Sequence, residues 1–285
     1  MKINVYIADK VATFFIYCDS YLKKNFDSSF FGSIKFINYK EVFEKYKSIL
    51  VDNLYFTYLK DLTFGIKTFE VNEDILNLNK NFGNVDLKFW KKEYENFNID
   101  EKFNIHIADQ ILLQYFGYNI KEDIDVILVP KNSFNELRMH SGVTNSREKS
   151  IIFMFVPEYK KDIPYKRVNL EVLIHEIIHL YIYRSDWYKK IYTLSIDKFS
   201  TYGDKNKIEG ICNELLARVF LTPNTFGLIR GVFNRNDIAI HPLVEPLNIT
   251  ANNILKEILN KKIETINDNF INVFIYNLEK YFISA

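Results

Sequence analysis

Two histidines and a glutamate stand at a spacing suited to metal chemistry in Leu173-Ile174-His175-Glu176-Ile177-Ile178-His179-Leu180. Residues four apart share one face of a helix, so the His175 and His179 imidazoles can reach a single ion. Two neutral nitrogens and a carboxylate are donors for zinc; magnesium and calcium prefer shells made of oxygen alone. Glu176, between the histidines, lies beside such an ion and can take a proton from water held there. On a helical wheel Leu173, Ile174, Ile177, Leu180 and Tyr181 form the back, which packs on a core. His175, Glu176 and His179 form the front, which must look into a cleft. The competing reading is a buried helix whose histidines are satisfied by backbone carbonyls. Three polar groups on one face of an apolar helix argue against it, because each needs a partner of its own.

The elements that hold this helix can be read from the surrounding chain. Asp125–Pro130 and Ser150–Val156 are short apolar runs, each stopped by a proline (Pro130, Pro157), and read as buried strands. A polar loop with His140, Ser141 and Gly142 lies between them. Asn169 is a suitable N-cap for the histidine helix, which is expected to reach about Arg184. A further helix is expected over Lys207–Leu221, before Pro223, and apolar spacing predicts helices over Asn253–Lys262 and Asp268–Phe282. Upstream, a strand at Asn4–Ala8 precedes helical patterns at Tyr39–Lys60, Asp86–Phe97 and Ile107–Phe116. The expected class is α+β: a small mixed sheet with the histidine helix, followed by a mostly helical C-terminal part. Three segments are expected, an N-terminal α/β region over 1–120, a metal-binding core over 121–224 and a helical subdomain over 225–285.

Composition sets outer limits. The 285 residues are 48% hydrophobic and 26% charged, which suits a globular chain with ample core. A formal net charge of +1 gives no reason to expect a nucleic-acid or anionic-membrane partner. The apolar run from Val11 to Tyr17 is too short to span a bilayer and lacks a small-residue cleavage site. The expectation is therefore a cytoplasmic protein with no membrane span. Cys18 and Cys212, two cysteines in all, are too few for a disulfide framework.

A catalytic zinc usually takes three protein ligands and leaves a fourth position open. The His-x-x-Gly-x-x-His continuation of metzincins is absent, with Ile182 and Ser185 at the key places. Downstream stands Glu209-Gly210-Ile211-Cys212-Asn213-Glu214-Leu215-Leu216-Ala217. With His-Glu-x-x-His, this stretch resembles the gluzincins, zincin-fold peptidases in which a glutamate on a second helix completes the site. Glu209-Gly210-Ile211-Cys212 is similar to the Glu-Gly-x-Ala of peptidase-MA-like proteins. Asn213-Glu214-Leu215-Leu216-Ala217 is similar to the Asn-Glu-x-x-Ala of thermolysin-like enzymes. Glu209-x-x-Cys212-Asn213 with Pro223 also resembles the repressor-cleaving ImmA/IrrE peptidases. The resemblance covers about Asp125 to Pro223. Between the two glutamates the helical wheel favours Glu209, at the edge of the apolar side formed by Ile208, Ile211, Cys212, Leu215, Leu216 and Val219. Glu214 lies about 140° away. Asn213 and Glu214, one turn after Glu209, can accept hydrogen bonds in an outer shell, whereas Arg218, one turn after Glu214, cannot. Glu209 is thus the expected third ligand and Glu214 the alternative, with Asp204 a weaker candidate.

The resemblance implies a zinc-dependent peptidase in which Glu176 is the general base. It also implies an oxyanion donor, for which Tyr202 comes first: it precedes Glu209 by seven residues, as the active-site tyrosine precedes the glutamate ligand in peptidases resembling anthrax lethal factor. Tyr183, His140 and His241 follow. Ser150–Val156, through Ile151, Phe153 and Phe155, is expected to be the edge strand that pairs with an extended peptide. Two other readings fit the same residues, a zincin scaffold kept as a sensor or regulator, and an effector protease with one host protein as target.

Overall fold

Ile151–Val156 is a run of six consecutive apolar residues, a pattern that suits a strand covered on both faces. All six side chains are buried, and the strand lies inside the sheet. The structure, a computed structural model, describes residues 2–14, 62, 63, 70, 73, 85–96, 105–130, 142–145, 150–156, 165–221, 246–263 and 265–284. The expected helix over Tyr39–Lys60 and the candidates His140 and His241 lie outside these residues.

Among the described residues four strands form one mixed sheet: β1 (Ile3–Ile7), β2 (Ile124–Pro130), β3 (Gly142–Asn145) and β4 (Ile151–Val156), in the order β1-β2-β4-β3. β1, β2 and β4 run parallel, and β3 pairs antiparallel with β4. Two expectations change here. β4 is an inner strand, so Ile151, Phe153 and Phe155 have no free edge, and β3 is the outer strand beside it. β1 pairs residue for residue with β2, from Ile3 opposite Ile124 to Ile7 opposite Leu128. A boundary at residue 120 therefore cuts through one sheet.

Around it lie helices α1 (Leu87–Asn96), α2 (Ile105–Phe116), α3 (Tyr165–Arg184), α4 (Asp186–Phe199), α5 (Lys205–Phe220), α6 (Pro246–Asn260) and α7 (Asp268–Ser284). α1 packs on β1 and β2 through the fully buried Trp90 and Tyr94, while α3 packs on β3 and β4. α3 begins four residues before the expected cap, so Asn169 lies within the helix. α4 was not expected from the sequence, yet its buried residues Tyr188, Ile191, Ser195 and Phe199 follow helical spacing. Gly117 ends α2 with a φ of +76°, and its N–H bonds back to the Leu113 carbonyl at 2.7 Å, a left-handed cap that suits glycine.

The C-terminal end of α3 is tied to the sheet. The Arg184 guanidinium pairs with Glu122 and donates to Ser150 Oγ at 2.9 Å, and Ser150 Oγ donates to Glu122 at 3.0 Å. One turn earlier the Tyr181 hydroxyl donates to Asp109 of α2 at 2.6 Å, and Tyr118 donates to the Tyr181 carbonyl. These bonds fix α3 along its axis, and with it the height of the histidines over the sheet. α4, α5, α6 and α7 then form a helical layer in which α5 touches α3, α4 and α6.

Candidate metal centre

The back of α3 buries Leu173, Ile174, Ile177, Leu180 and Tyr181, as the wheel predicts. The front carries the polar groups. Glu176 is 6% exposed and His179 4%, and His175 is half-buried, so three polar side chains meet in a shielded place. Their ligand atoms lie within 4.8 Å of one another. The two Nε2 atoms point at each other 2.9 Å apart.

A second carboxylate closes the group. One oxygen of Glu214 lies 3.5 Å from His175 Nε2 and the other lies 3.5 Å from His179 Nε2. Glu214 thus faces both imidazoles from α5, and the expected order of the two glutamates reverses. Glu209 lies two-fifths of a turn around α5 from Glu214 and sits beside Tyr188 and Cys212. The wheel failed because α5 is buried on most sides. Ile208, Cys212, Asn213, Leu215, Leu216, Ala217, Val219 and Phe220 are all buried between α3, α4 and α6. An apolar stripe marks the centre-facing side only when a helix has one buried side. The pattern that did carry the information was Asn213-Glu214-Leu215-Leu216-Ala217.

Comparison with protein-family models, with curated proteins and with solved structures yields no match. The donor atoms must therefore speak for the site.

Their spacing suits a tetrahedral ion. With metal–ligand distances of about 2.0–2.2 Å, ligand atoms around zinc stand about 3.3–3.5 Å apart. The Glu214 carboxylate places one oxygen 3.5 Å from each Nε2, and the two Nε2 atoms lie somewhat closer together, 2.9 Å apart. Two imidazoles and one carboxylate are also a donor set that zinc accepts. His175, His179 and Glu214 are the residues that fit the ion, with Glu176 alongside.

Without a metal, protons occupy the same atoms. Burial lowers the His179 pKa, but hydrogen bonding and charge from Glu214, with Glu176 and Asn213 adding to them, overcome that and raise it to about 9. Burial would raise the Glu214 carboxyl, yet hydrogen bonds and charge from His175 and His179 hold it well below the usual carboxylate range. The metal-free centre is thus an imidazolium–carboxylate pair that zinc must displace.

The other candidates have different occupations. The Asp204 carboxylate caps α5, accepting from Lys207 N–H at 2.8 Å, so it is a cap and not a ligand. The Tyr202 ring stacks on Phe282 at 5.5 Å and meets Phe199 edge-on at 6.5 Å. It precedes α5, on which Lys205 and Glu214 are separated by about 14 Å along the axis. Tyr183 packs edge-on against Tyr188 at 5.7 Å. Cys212 is buried, and burial pushes its thiol up to about 11, which leaves it unreactive at neutral pH.

Proposed function

We propose that this chain is a zinc-dependent metallopeptidase of gluzincin type, with His175, His179 and Glu214 as metal ligands and Glu176 as general base. The observation that carries the reading is the pair of Nε2 atoms faced by the two oxygens of the Glu214 carboxylate, with Glu176 beside the histidines. When bound, zinc lowers the pKa of a water molecule and polarises the scissile carbonyl. Glu176, shielded from bulk solvent, accepts the proton of the attacking water and returns it to the leaving amine. Glu214 and the two imidazoles supply one net negative charge. A substrate in extended form can pair only with an outer strand, and among the described residues β3 is the outer strand packed beside α3. No described helix is long and apolar enough to cross a membrane.

Zinc content and turnover test the reading together. The protein supplemented with zinc at neutral pH is expected to hold about one ion per chain, the stoichiometry of a three-ligand site. It is expected to cleave members of an unbiased peptide library. Glu176→Gln should keep the metal and lose nearly all hydrolysis. No zinc after supplementation would overturn the ligand assignment, and full turnover by Glu176→Gln would overturn the role of the base.

A further inference from the structure

Glycine is among the least favourable residues inside a helix, because it gives up the most backbone freedom on folding. α5 nevertheless carries Gly210 in its interior, one turn before Glu214. Two other glycines have visible reasons. Gly117 holds a positive φ of 76°, and a Cβ on Gly203 would stand 2.7 Å from Lys207 Cδ. Gly210 has neither. It is exposed, and among the described residues no atom beyond its own stretch of helix lies within 4 Å of where its Cβ would be. The helix therefore gains no packing from a glycine at this place.

What lies on that side of α5 is the metal centre. Around the helix axis Gly210 falls between Asn213, about 60° to one side, and Glu214, about 40° to the other. Glu214 faces both Nε2 atoms at 3.5 Å, and Asn213 lies beside the His179 ring. Ala217, seven residues on, points within about 20° of Gly210, yet it is 0% exposed. The histidine-facing side of α5 is thus closed at Ala217 and open at Gly210. The opening lies about 6 Å along the axis from Glu214, so a peptide held against the ion can extend over it. We infer that Gly210 is a specificity-determining residue, the floor of a substrate pocket beside the metal whose missing Cβ leaves room for a bulky side chain next to the scissile bond. A glycine lets a ligand come closer to the backbone than any other residue does. A methyl group there would fill the floor, and a larger side chain would fill the pocket.

This inference rests on the peptidase reading above, and a binding probe separates the two. Zinc content, thermal melting and the binding of two zinc-chelating hydroxamates, those of phenylalanine and of alanine, are measured on wild type, Gly210→Ala and Gly210→Leu. Hydroxamate binding needs the ion and the pocket but no turnover. Wild type is expected to bind the phenylalanine hydroxamate at least about 10-fold more tightly than the alanine one, the discrimination that a missing methylene or more gives in a fitted pocket. Gly210→Ala should keep its zinc and melt about 1–4 °C higher, because a helix glycine has been replaced. It should also lose about 10-fold in affinity for the phenylalanine hydroxamate and hold the alanine one unchanged. Gly210→Leu should abolish the preference, and if it fails to fold, Gly210→Ala decides alone. Peptide cleavage should follow the same order in kcat/KM. A wild type without the preference overturns the inference, as does a preference that survives Gly210→Ala unchanged. Zinc-loaded wild type that discriminates through Gly210 yet cleaves no peptide defeats the peptidase reading and leaves the pocket standing. Wild type that holds no zinc defeats both.

Discussion

His179 and Glu214 hold each other in opposite charge states, and this has a consequence for pH. The His179 pKa lies above the ordinary imidazole value, at about 9, so its protonated form stabilises the metal-free fold at neutral pH and below. That contribution fades as pH rises through about 9. Glu214 is shifted downward, so its contribution is present above the ordinary carboxylate range and is lost as pH falls below it. Zinc competes with the His179 proton. At neutral pH, zinc binding should release close to one proton per ion from this ring, and apparent affinity should rise with pH until about 9. Calorimetry in buffers of different ionisation enthalpy measures the proton count, and pH-independent affinity without proton release would contradict the pairing. The two glutamates give a second prediction at this scale. Glu214→Ala should lose most zinc affinity, while Glu209→Ala, altering a side chain beside Tyr188 and Cys212, should change it little. The reverse ranking, read by competition with a chelator, would restore Glu209 as the ligand.

Helix α5 shows where sequence reasoning holds and where it stops. Its existence was legible, and the expected span Lys207–Leu221 differs from the observed Lys205–Phe220 by two residues at one end and one at the other. Its rotation was not legible, because a helix packed on three neighbours carries apolar residues around most of its circumference. α3 was the easier case, with one apolar back and one polar front. The strands were legible from their unbroken apolar runs, but strand order was not. A buried run reads the same whether the strand is second or last in a sheet, which is why β4 was expected at the edge. α4 was obscured by Lys189, Lys190, Asp197 and Lys198 on its exposed side and by polar Ser195 among its buried positions. Asp204 caps α5, which begins at Lys205; the expected start at Lys207 placed that cap two residues too late to be recognised. Asp204→Ala should destabilise the protein by about 1 kcal/mol, the usual effect of losing such a cap, and leave zinc affinity unchanged. Loss of zinc with unchanged thermal stability would reassign it to the centre.

The layers fit together in a way that makes β1, α1 and α2 part of the centre's support. β1 supplies one of the three parallel strands, and Ile3 and Val5 are buried at 3% and 5% exposure. Trp90 and Tyr94 of α1, with Leu112 and Phe116 of α2, belong to the same core as Leu173, Ile177 and Leu180 behind the histidines. Asp109 of α2 accepts from Tyr181, two residues after His179. Fully burying side chains of this size contributes about 1.5–3 kcal/mol each. Six of them together are worth on the order of 10 kcal/mol, as much as the whole margin of a typical domain. A fragment beginning at residue 121 would lose all six, expose the β1-facing edge of β2, and release α3 from α2. Such an edge with apolar surface around it favours association between chains. The fragment 121–285 is therefore expected to be aggregated or to lack a cooperative thermal transition, and to bind zinc at least 100-fold more weakly than the full chain, on the order of an outer-shell loss or worse. Circular dichroism melting, light scattering and zinc competition on the fragment beside the full chain measure this. A monomeric fragment that melts cooperatively and keeps full-chain zinc affinity would show the N-terminal strand and helices to be an addition to the metal centre and not its foundation.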